Sequence, residues 1–361
     1  DEALVQMRNR ITSFLRGAPL GLYRLYADEF ALVLKGPSHK NDAQNLLEAL
    51  HEHIQSHPFL IQGNAVIINV TLGAIHTDTT QYPLTDADMV LRHAKHLQKN
   101  ILILSDVDIL KEEIAHNIEY IQKIKEAIAA DRVVPYFQPI IDNTSGTIAK
   151  YECLMRLLTP EGIVIPPSSF LNVAKKARLY TRLTRIIIEK TFAVFENKED
   201  EFSINLSVDD IKDAAVVGFI LGKMENPELS RRIIFEITES EEFENFEEIG
   251  YFIKKIKQKG GRIAIDDFGS GYSNFAYLMN LQADFIKIDA SLIKNIDKDP
   301  NSRVVVETIV AFAKILKVKT VAEFVHSREV FEVVREIGVD FSQGFYFHEP
   351  QSQPLQAKEA K

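Results

Sequence analysis

The pattern of apolar and polar positions changes along the chain near residue 108. From residue 133 onward, short β-branched apolar runs alternate with amphipathic stretches, a pattern typical of strands separated by helices. The predicted strands are Val133–Ile141, Ile148–Leu157, Phe202–Ser207, Arg232–Thr238, Arg262–Asp267, Phe285–Asp289, Lys319–Val325 and Phe341–Phe347. The clear helical segments are Phe170–Ala177, Thr184–Phe195, Phe246–Lys259, Arg303–Leu316 and Arg328–Ile337.

This order of elements predicts an α/β fold, a closed (β/α)8 barrel of the TIM type. A doubly wound open sheet is the alternative, but no glycine-rich phosphate loop follows the first strand, which argues against it. The connection at 142–147 is too short for a helical crossover, so we expect the first two strands to be antiparallel.

The residues before 108 follow an α+β pattern. Helices are predicted at 4–16, 41–56 and 86–97, a hairpin at 21–34, and strands at 65–74 and 101–104. One long amphipathic helix is predicted at 109–130. It either packs on the domain that follows or acts as a lever joining two domains. We therefore expect a first domain over 1–107, a linker helix over 108–131 and a second domain over 132–361.

Polar side chains lie at or near the carboxyl end of nearly every strand in the second region. They are Glu152, Asn205, Glu236, Glu239, Asp266, Asp267, Lys287, Asp289, Glu323 and Gln343. In a closed parallel barrel these strand ends meet at one face, where barrel enzymes keep their active sites. Chance placement on so many strands is improbable, so the pattern predicts a single convergent site.

The adjacent pair Asp266-Asp267 ends a buried strand and precedes a glycine-rich turn. Such a pair is by itself more often a solvated turn, but neighbouring carboxylates that are not separated by a cation repel each other. The candidate ligands at all the strand ends together are oxygen atoms, and none comes from histidine or cysteine. Such a ligand set favours Mg²⁺ or Mn²⁺. Two such ions suit phosphodiester hydrolysis, and Lys287 adds a compact positive charge.

Composition restricts the class of protein. The chain has 361 residues, 46% apolar and 26% charged, with a net charge of −9 and one cysteine, Cys153. It is long enough for two domains, and its negative charge disfavours nucleic-acid binding. The single cysteine fits a reducing cytosol. No apolar run reaches the roughly 20 residues of a membrane span. We expect a cytoplasmic location without membrane contact by this chain, although upstream segments could tether a longer protein to the inner membrane.

The second region resembles EAL domains, which are cyclic di-GMP phosphodiesterases, over about 133–350. Glu152-Cys153-Leu154-Met155-Arg156 stands where that family has EAL-x-R, and Asp266-Asp267-Phe268-Gly269-Ser270-Gly271-Tyr272-Ser273 is similar to DDFGTGYS. Further similar motifs are Tyr136-Phe137-Gln138-Pro139-Ile140, Asn205-Leu206-Ser207, Glu236-Ile237-Thr238-Glu239, Lys287-Ile288-Asp289, Ala322-Glu323-Phe324-Val325-His326 and Gln343-Gly344-Phe345-Tyr346-Phe347.

This resemblance implies a role for each matching residue. The first metal would be bound by Glu152, Asn205, Glu236 and Asp266, and the second by Asp266, Asp267 and Glu323. Lys287 would orient or polarise the attacking water. Gln138, Arg156 and Gln343 would bind the substrate, and Gln343 would also complete the shell of water around the metals. Glu239 would anchor the glycine-rich loop rather than bind metal. The catalytic set would be Glu152, Asp267, Lys287 and Glu323.

The first region resembles GGDEF domains, which make cyclic di-GMP from GTP. Tyr26-Ala27-Asp28-Glu29-Phe30 stands at the signature turn, and Val70-Thr71-Leu72-Gly73-Ala74 and Asp86-Ala87-Asp88 resemble later motifs. Side chains replace both glycines that let the nucleotide approach the backbone, and the family's upstream metal-binding strand and helix are absent from this chain. We expect an incomplete, degenerate GGDEF domain that regulates but has no cyclase activity.

The resemblance implies hydrolysis of cyclic di-GMP to linear pGpG, by a homodimer formed through the EAL domain. The alternative is a receptor that binds cyclic di-GMP without cutting it. Two departures bear on this choice: Phe324 replaces a glycine beside Glu323, and His326 replaces a glutamate. Any weakness should therefore lie at the second metal. Because every predicted metal ligand is present, the enzyme is favoured over the receptor.

Overall fold

The computed structural model describes residues 2–15, 19–34, 40–76, 80–104, 107–238, 246–269 and 281–355. The chain divides into two compact units, Asp1–Asn117 and Ile118–Lys361. No helix in these described ranges is long and apolar enough to cross a membrane.

The first unit is an α+β structure. Its elements are α1 (Glu2–Phe14), β1 (Pro19–Arg24), β2 (Phe30–Leu34), α2 (Lys40–Gln55), β3 (Phe59–Ile61), β4 (Asn64–Val66), β5 (Leu72–Ile75), α3 (Pro83–His96) and β6 (Ile101–Leu104). The pairs β1–β2 and β3–β4 are antiparallel, and β5–β6 is parallel. Apolar side chains of α1 and α2 pack around the buried Phe59.

The single strand predicted at 65–74 is wrong. The structure has two strands there, β4 and β5, separated by residues 67–71 without regular structure. Strand β4 pairs instead with β3, through a tight turn at Gln62 and Gly63 with φ of 50° and 80°. Two consecutive residues of positive φ are what a two-residue hairpin turn requires. Gly63 was the signal for this hairpin in the sequence.

Helix α4 (Asp108–Ala129) contains the point at which the two units divide, after Asn117. In the first unit, Leu110 of α4 packs with Val90 and Val107. The Lys111 ammonium lies 3.0 Å from the buried Asp86 carboxylate. In the second unit, Ile124 of α4 is fully buried in an apolar cluster. Each half of the helix therefore contributes to the core of its own unit.

The second unit is a closed barrel. Its strands are β7 (Val133–Asp142), β8 (Ile148–Leu158), β9 (Val164–Ile165), β10 (Glu201–Leu206), β11 (Ile233–Thr238), β12 (Arg262–Phe268), β13 (Phe285–Ile288), β14 (Lys319–Ala322) and β15 (Phe341–Ser342). Its helices are α5 (Leu171–Lys176), α6 (Tyr180–Phe195), α7 (Val208–Lys212), α8 (Ala214–Lys223), α9 (Pro227–Ser230), α10 (Phe246–Gln258), α11 (Ala290–Ile293), α12 (Pro300–Leu316) and α13 (Arg328–Ile337).

Strand pairing confirms the barrel and excludes the open sheet. Strands β8, β10, β11, β12, β13, β14 and β15 are parallel in that spatial order, and β7 lies antiparallel between β15 and β8. The predicted antiparallel first pair is therefore confirmed. Strand β9 is antiparallel to the carboxyl end of β8, at Leu157 and Leu158. Outside the barrel wall, the rings of Phe195 and Phe202 stack with centroids 4.4 Å apart and join α6 to β10.

The last two strands are shorter than predicted. Strand β14 ends at Ala322 and β15 at Ser342. Beyond them, Phe324 has φ of 56°, and a Cβ on Gly344 would overlap the backbone of Val325. The positive φ ends the extended conformation, and the close approach requires glycine. Glu323 and Gln343 are consequently the first residues after β14 and β15.

Candidate active site

The barrel places polar side chains from separate strands around one buried lysine. Lys287, near the end of β13, is only 1% exposed. Its Nζ lies 2.7 Å from Glu236 Oε2, 2.7 Å from Glu323 Oε1 and 2.9 Å from Asp266 Oδ1. Glu152 Oε2 is 3.4 Å away. One ammonium is thus shared by carboxylates of β8, β11, β12 and the segment after β14.

Hydrogen bonds hold Glu152 in a fixed orientation. Asn205 Nδ2 donates to Glu152 Oε1 at 2.7 Å, and Gln343 Nε2 donates to Oε2 at 2.6 Å. Gln343 Nε2 also donates to Gln138 Oε1 at 2.9 Å. Gln138 lies directly opposite Glu152 in the antiparallel pair of β7 and β8. These amides leave the carboxylate little rotational freedom.

The acids of the site respond differently to the shared lysine. Burial, together with repulsion from the nearby Glu152 and Asp266, raises the pKa of Glu236 to about 8 against the opposing effect of Lys287. Burial likewise raises the pKa of Glu323 well above its ordinary value. Burial also tends to raise the pKa of Glu152, but Lys287 and the amide hydrogen bonds outweigh burial and lower this pKa. The single ammonium of Lys287 therefore does not lower the pKa of every carboxyl group around it.

Lys287 itself remains protonated. Burial alone would lower its pKa, but the surrounding carboxylates outweigh burial and raise the pKa well above the ordinary value. Removing a buried ammonium from such a group would leave several uncompensated negative charges. The lysine therefore acts as a fixed positive charge inside the acidic layer.

Asp266, Asp267 and Glu323 form a group of metal-binding size. One oxygen of each lies within 4.8 Å of the others. Asp267 has φ of 55°, and the pairing of β12 with β13 shifts register between Ile265 and Phe268. This irregularity lets both adjacent aspartates approach Glu323, whereas a regular strand would direct them to opposite faces. Burial, followed by repulsion from Asp266, raises the pKa of Asp267 to about 6.

The donor set fits hard divalent cations. All the charged donors are carboxylates, which Mg²⁺ and Mn²⁺ prefer. Among the described residues, Gln343 Oε1 is a buried acceptor that lacks a hydrogen-bond partner. The carboxylates carry more negative charge than Lys287 alone can balance, and a cation would balance the remainder. Water bound to that cation could donate to the buried acceptor of Gln343.

The remaining predicted site residues make other contacts or lie outside the described ranges. Arg156 is half-buried, donates to the Met155 carbonyl at 2.8 Å and lies 5.9 Å from the centre of the Tyr136 ring. Burial lowers its pKa. Asp289 accepts hydrogen bonds from Ser291 at the start of α11. The predicted loop anchor Glu239, and the loop residues from Ser270 onward to residue 280, lie outside the described residues.

Phe324 does not separate Glu323 from the two aspartates, since the three carboxylates still converge. Its side chain is 48% exposed, and its ring contacts that of His326 at 5.6 Å. His326 Nε2 pairs with the Lys294 carbonyl at 2.9 Å. Sequence reasoning treated Phe324 only as added bulk and missed its left-handed backbone and exposed ring. The glycine expected at this position was the available signal for that conformation.

Comparison with protein-family models matches residues 121–350 to the EAL domain. Residues 1–101 match the diguanylate cyclase, GGDEF domain. Because the EAL model covers more than half of the chain, this protein belongs to the EAL-domain family, with a GGDEF-type domain before the barrel.

Curated relatives agree with this assignment. The cyclic di-GMP phosphodiesterase PdeB of Shewanella oneidensis is 27% identical over 97% of this chain and 42% of that protein. The cyclic di-GMP phosphodiesterase PdeA of Borreliella burgdorferi is 30% identical over 68% of this chain and 39% of its own length. The chain thus spans about half the length or less of these relatives.

Solved structures show the same barrel. A structure described as the PaMucR phosphodiesterase in complex with c-di-GMP has a TM-score of 0.60 and 26% identity, over 64% of this chain and 97% of that one. The Klebsiella pneumoniae BlrP1 complex with manganese and cy-diGMP has a TM-score of 0.54 and 26% identity, over 62% and 57% of the two chains.

Proposed function

We propose that this protein hydrolyses cyclic di-GMP to linear pGpG in a reaction that depends on Mg²⁺ or Mn²⁺. The observation that carries the proposal is the convergence of carboxylates from separate strands on Lys287, with Asp266, Asp267 and Glu323 grouped within 4.8 Å. Relatives named as cyclic di-GMP phosphodiesterases support the substrate.

The proposed ligand set follows the sequence motifs. Glu152, Asn205, Glu236 and Asp266 would hold one metal, and Asp266, Asp267 and Glu323 the other, with Asp266 shared. When bound, such ions polarise the phosphodiester, lower the pKa of water and stabilise the leaving oxygen. In this proposal, the catalytic residues Glu152, Asp267 and Glu323 supply the negative charge that holds the ions.

The remaining residues position the substrate and the attacking water. Lys287 carries a fixed positive charge among the acids, suited to orienting a water and to stabilising charge that develops on phosphate. Gln343 donates hydrogen bonds to both Gln138 and Glu152. Its buried Oε1 is still available to accept a hydrogen bond. Arg156 suits a phosphate contact, because its guanidinium can donate two hydrogen bonds to adjacent oxygens.

The proposal assigns a task to each part of the chain. Residues 1–107 would be a regulatory GGDEF domain without cyclase activity, residues 108–131 a linker helix, and residues 132–361 the phosphodiesterase. We further propose that the protein acts in the cytoplasm as a homodimer formed through the EAL domain, with Glu239 anchoring the loop after Asp267.

The test is to incubate the purified chain with cyclic di-GMP and Mn²⁺ and to separate the products chromatographically. We expect pGpG with Mn²⁺ or Mg²⁺ and none with Ca²⁺, whose larger, looser coordination does not support the compact two-metal geometry. Glu152→Gln, which keeps the shape but removes the charge, should produce none. Tight binding of cyclic di-GMP without formation of pGpG would contradict the enzyme hypothesis and support the receptor hypothesis.

A further inference from the structure

We propose that Phe324 forms a stacking surface for a purine base of the substrate, and so determines affinity rather than chemistry. This inference rests on the proposed function, because it takes cyclic di-GMP as the substrate. A nucleotide with its phosphate at the acidic cluster carries its base one sugar away, at the barrel mouth.

The first observation is position. Phe324 directly follows Glu323, which belongs to the acidic group with Asp266 and Asp267. Consecutive Cα atoms lie about 3.8 Å apart, so the aromatic side chain begins next to the cluster. It lies on the segment after β14, at the barrel face where the predicted site residues meet.

The second observation is backbone conformation. Phe324 has φ of 56°, a left-handed conformation that is uncommon for a bulky residue. Glycine adopts it without steric cost. Backbone hydrogen bonds hold the segment in place: Glu323 N donates to Ile288 O at 3.3 Å, and Val325 N donates to Gln343 O at 2.9 Å. Strain that the surrounding structure maintains in this way is found preferentially at ligand sites.

The third observation is the exposed ring. Almost half of the Phe324 side chain is accessible, and its ring meets that of His326. His326 is held by its contact with the Lys294 carbonyl. The ring is therefore supported by a neighbour while much of its surface remains accessible. An aromatic ring in this state can stack on any base, and stacking does not depend on base-specific hydrogen bonds.

The test compares wild type with Phe324→Gly and Phe324→Asn, both of which suit a positive φ but lack the ring. Binding of cyclic di-GMP is measured by calorimetry with Ca²⁺, and kcat and KM with Mn²⁺. Loss of base stacking should raise both Kd and KM about 5- to 150-fold, with kcat changed less than about twofold. Phe324→Tyr, which keeps the ring, should bind as wild type does.

Two further measurements separate stacking from other roles. Mn²⁺ affinity should be the same in all variants, and the melting temperature of Phe324→Gly should rise because backbone strain is relieved. If the wild type cleaves cyclic di-GMP and Phe324→Gly has the same Kd and KM as the wild type, this inference alone would be overturned. Altered Mn²⁺ affinity, which indicates a metal effect, or loss of a dimer in sedimentation, which indicates an interface, would also overturn it. A wild type that neither binds nor cleaves cyclic di-GMP would overturn the proposed function as well.

Discussion

Both units carry acidic signature residues, but among the described residues it is the second unit that brings them into one charged centre. In the first unit, the half-buried Glu29 lies 3.5 Å from Lys95, and Tyr26, three residues earlier, is 80% exposed. In the second, buried carboxylates from separate strands share Lys287. Within the described residues, the group of acids close enough to hold a metal lies in the barrel. An acidic motif thus becomes a candidate site only when the fold supplies its partners.

The strongest test of this comparison removes the shared charge. Lys287→Met should reduce hydrolysis by more than about 1,000-fold, because the positive charge beside the developing phosphate charge is lost. Mn²⁺ should raise the melting temperature of this variant more than that of wild type, since the acids then lack their internal counter-charge. The measurements are steady-state kinetics and thermal unfolding with and without Mn²⁺.

The matched control is Lys298→Met, whose side chain is largely exposed. It should behave as wild type in both measurements. Full activity in Lys287→Met would show that the shared ammonium is structural only.

A second prediction concerns the independence of the two cores. Phe59→Ala, at a fully buried position in the first unit, should destabilise that unit by about 3–5 kcal/mol. Unfolding of the barrel should not change, because Phe59 packs in the apolar cluster of the first unit. Urea unfolding followed by circular dichroism should show the first transition at lower urea.

Leu60→Ala, at the exposed neighbouring position, provides the control and should change little. If Phe59→Ala moved both transitions together, the two units would unfold as one.

A third prediction compares acids within the barrel, since burial alone does not make a site. Asp210, in α7 after β10, is buried and accepts hydrogen bonds from Ser207 and Thr184. Burial raises its pKa to about 6 from 3.8. The folded protein therefore holds an extra proton between these values, and this contribution to stability is lost as pH rises through about 6.

Asp210→Asn removes the charge but can still accept these hydrogen bonds. At pH 8, its free energy of unfolding should exceed that of wild type by up to about 3 kcal/mol, and the difference should shrink toward pH 4. Urea unfolding at both pH values measures this effect. Equal pH dependence in the two proteins would mean that Asp210 is ionised normally.

The smallest expected effect is in the first unit. With GTP and Mg²⁺, wild type should make no cyclic di-GMP, and the double variant Tyr26→Gly/Ala27→Gly should also make none. Restoring the glycines opens the backbone, but it does not create a group of metal-binding acids around Asp28 and Glu29. Chromatography of the nucleotides is the assay, and a cyclic di-GMP peak from the double variant would refute this account.

The sequence alone determined the barrel and the identity of the candidate ligands, because strand periodicity and polar strand ends are local signals. Glu152, Glu236, Asp266, Lys287 and Glu323 are each recognisable because they interrupt or end an apolar run. Closure of the barrel follows from the same alternation of strands and helices. Local pattern failed for β3 and β4, because such short strands leave only a turn glycine as evidence.

Only the tertiary structure decided how these residues share charge. The pKa of Glu152 is lowered and that of Glu236 raised, although both are buried glutamates beside Lys287. The difference arises from the amide hydrogen bonds that Asn205 and Gln343 donate to Glu152, and from the repulsion that Glu152 and Asp266 exert on Glu236. Such contacts join residues distant in sequence, and their strength depends on distance and burial, which no sequence pattern encodes.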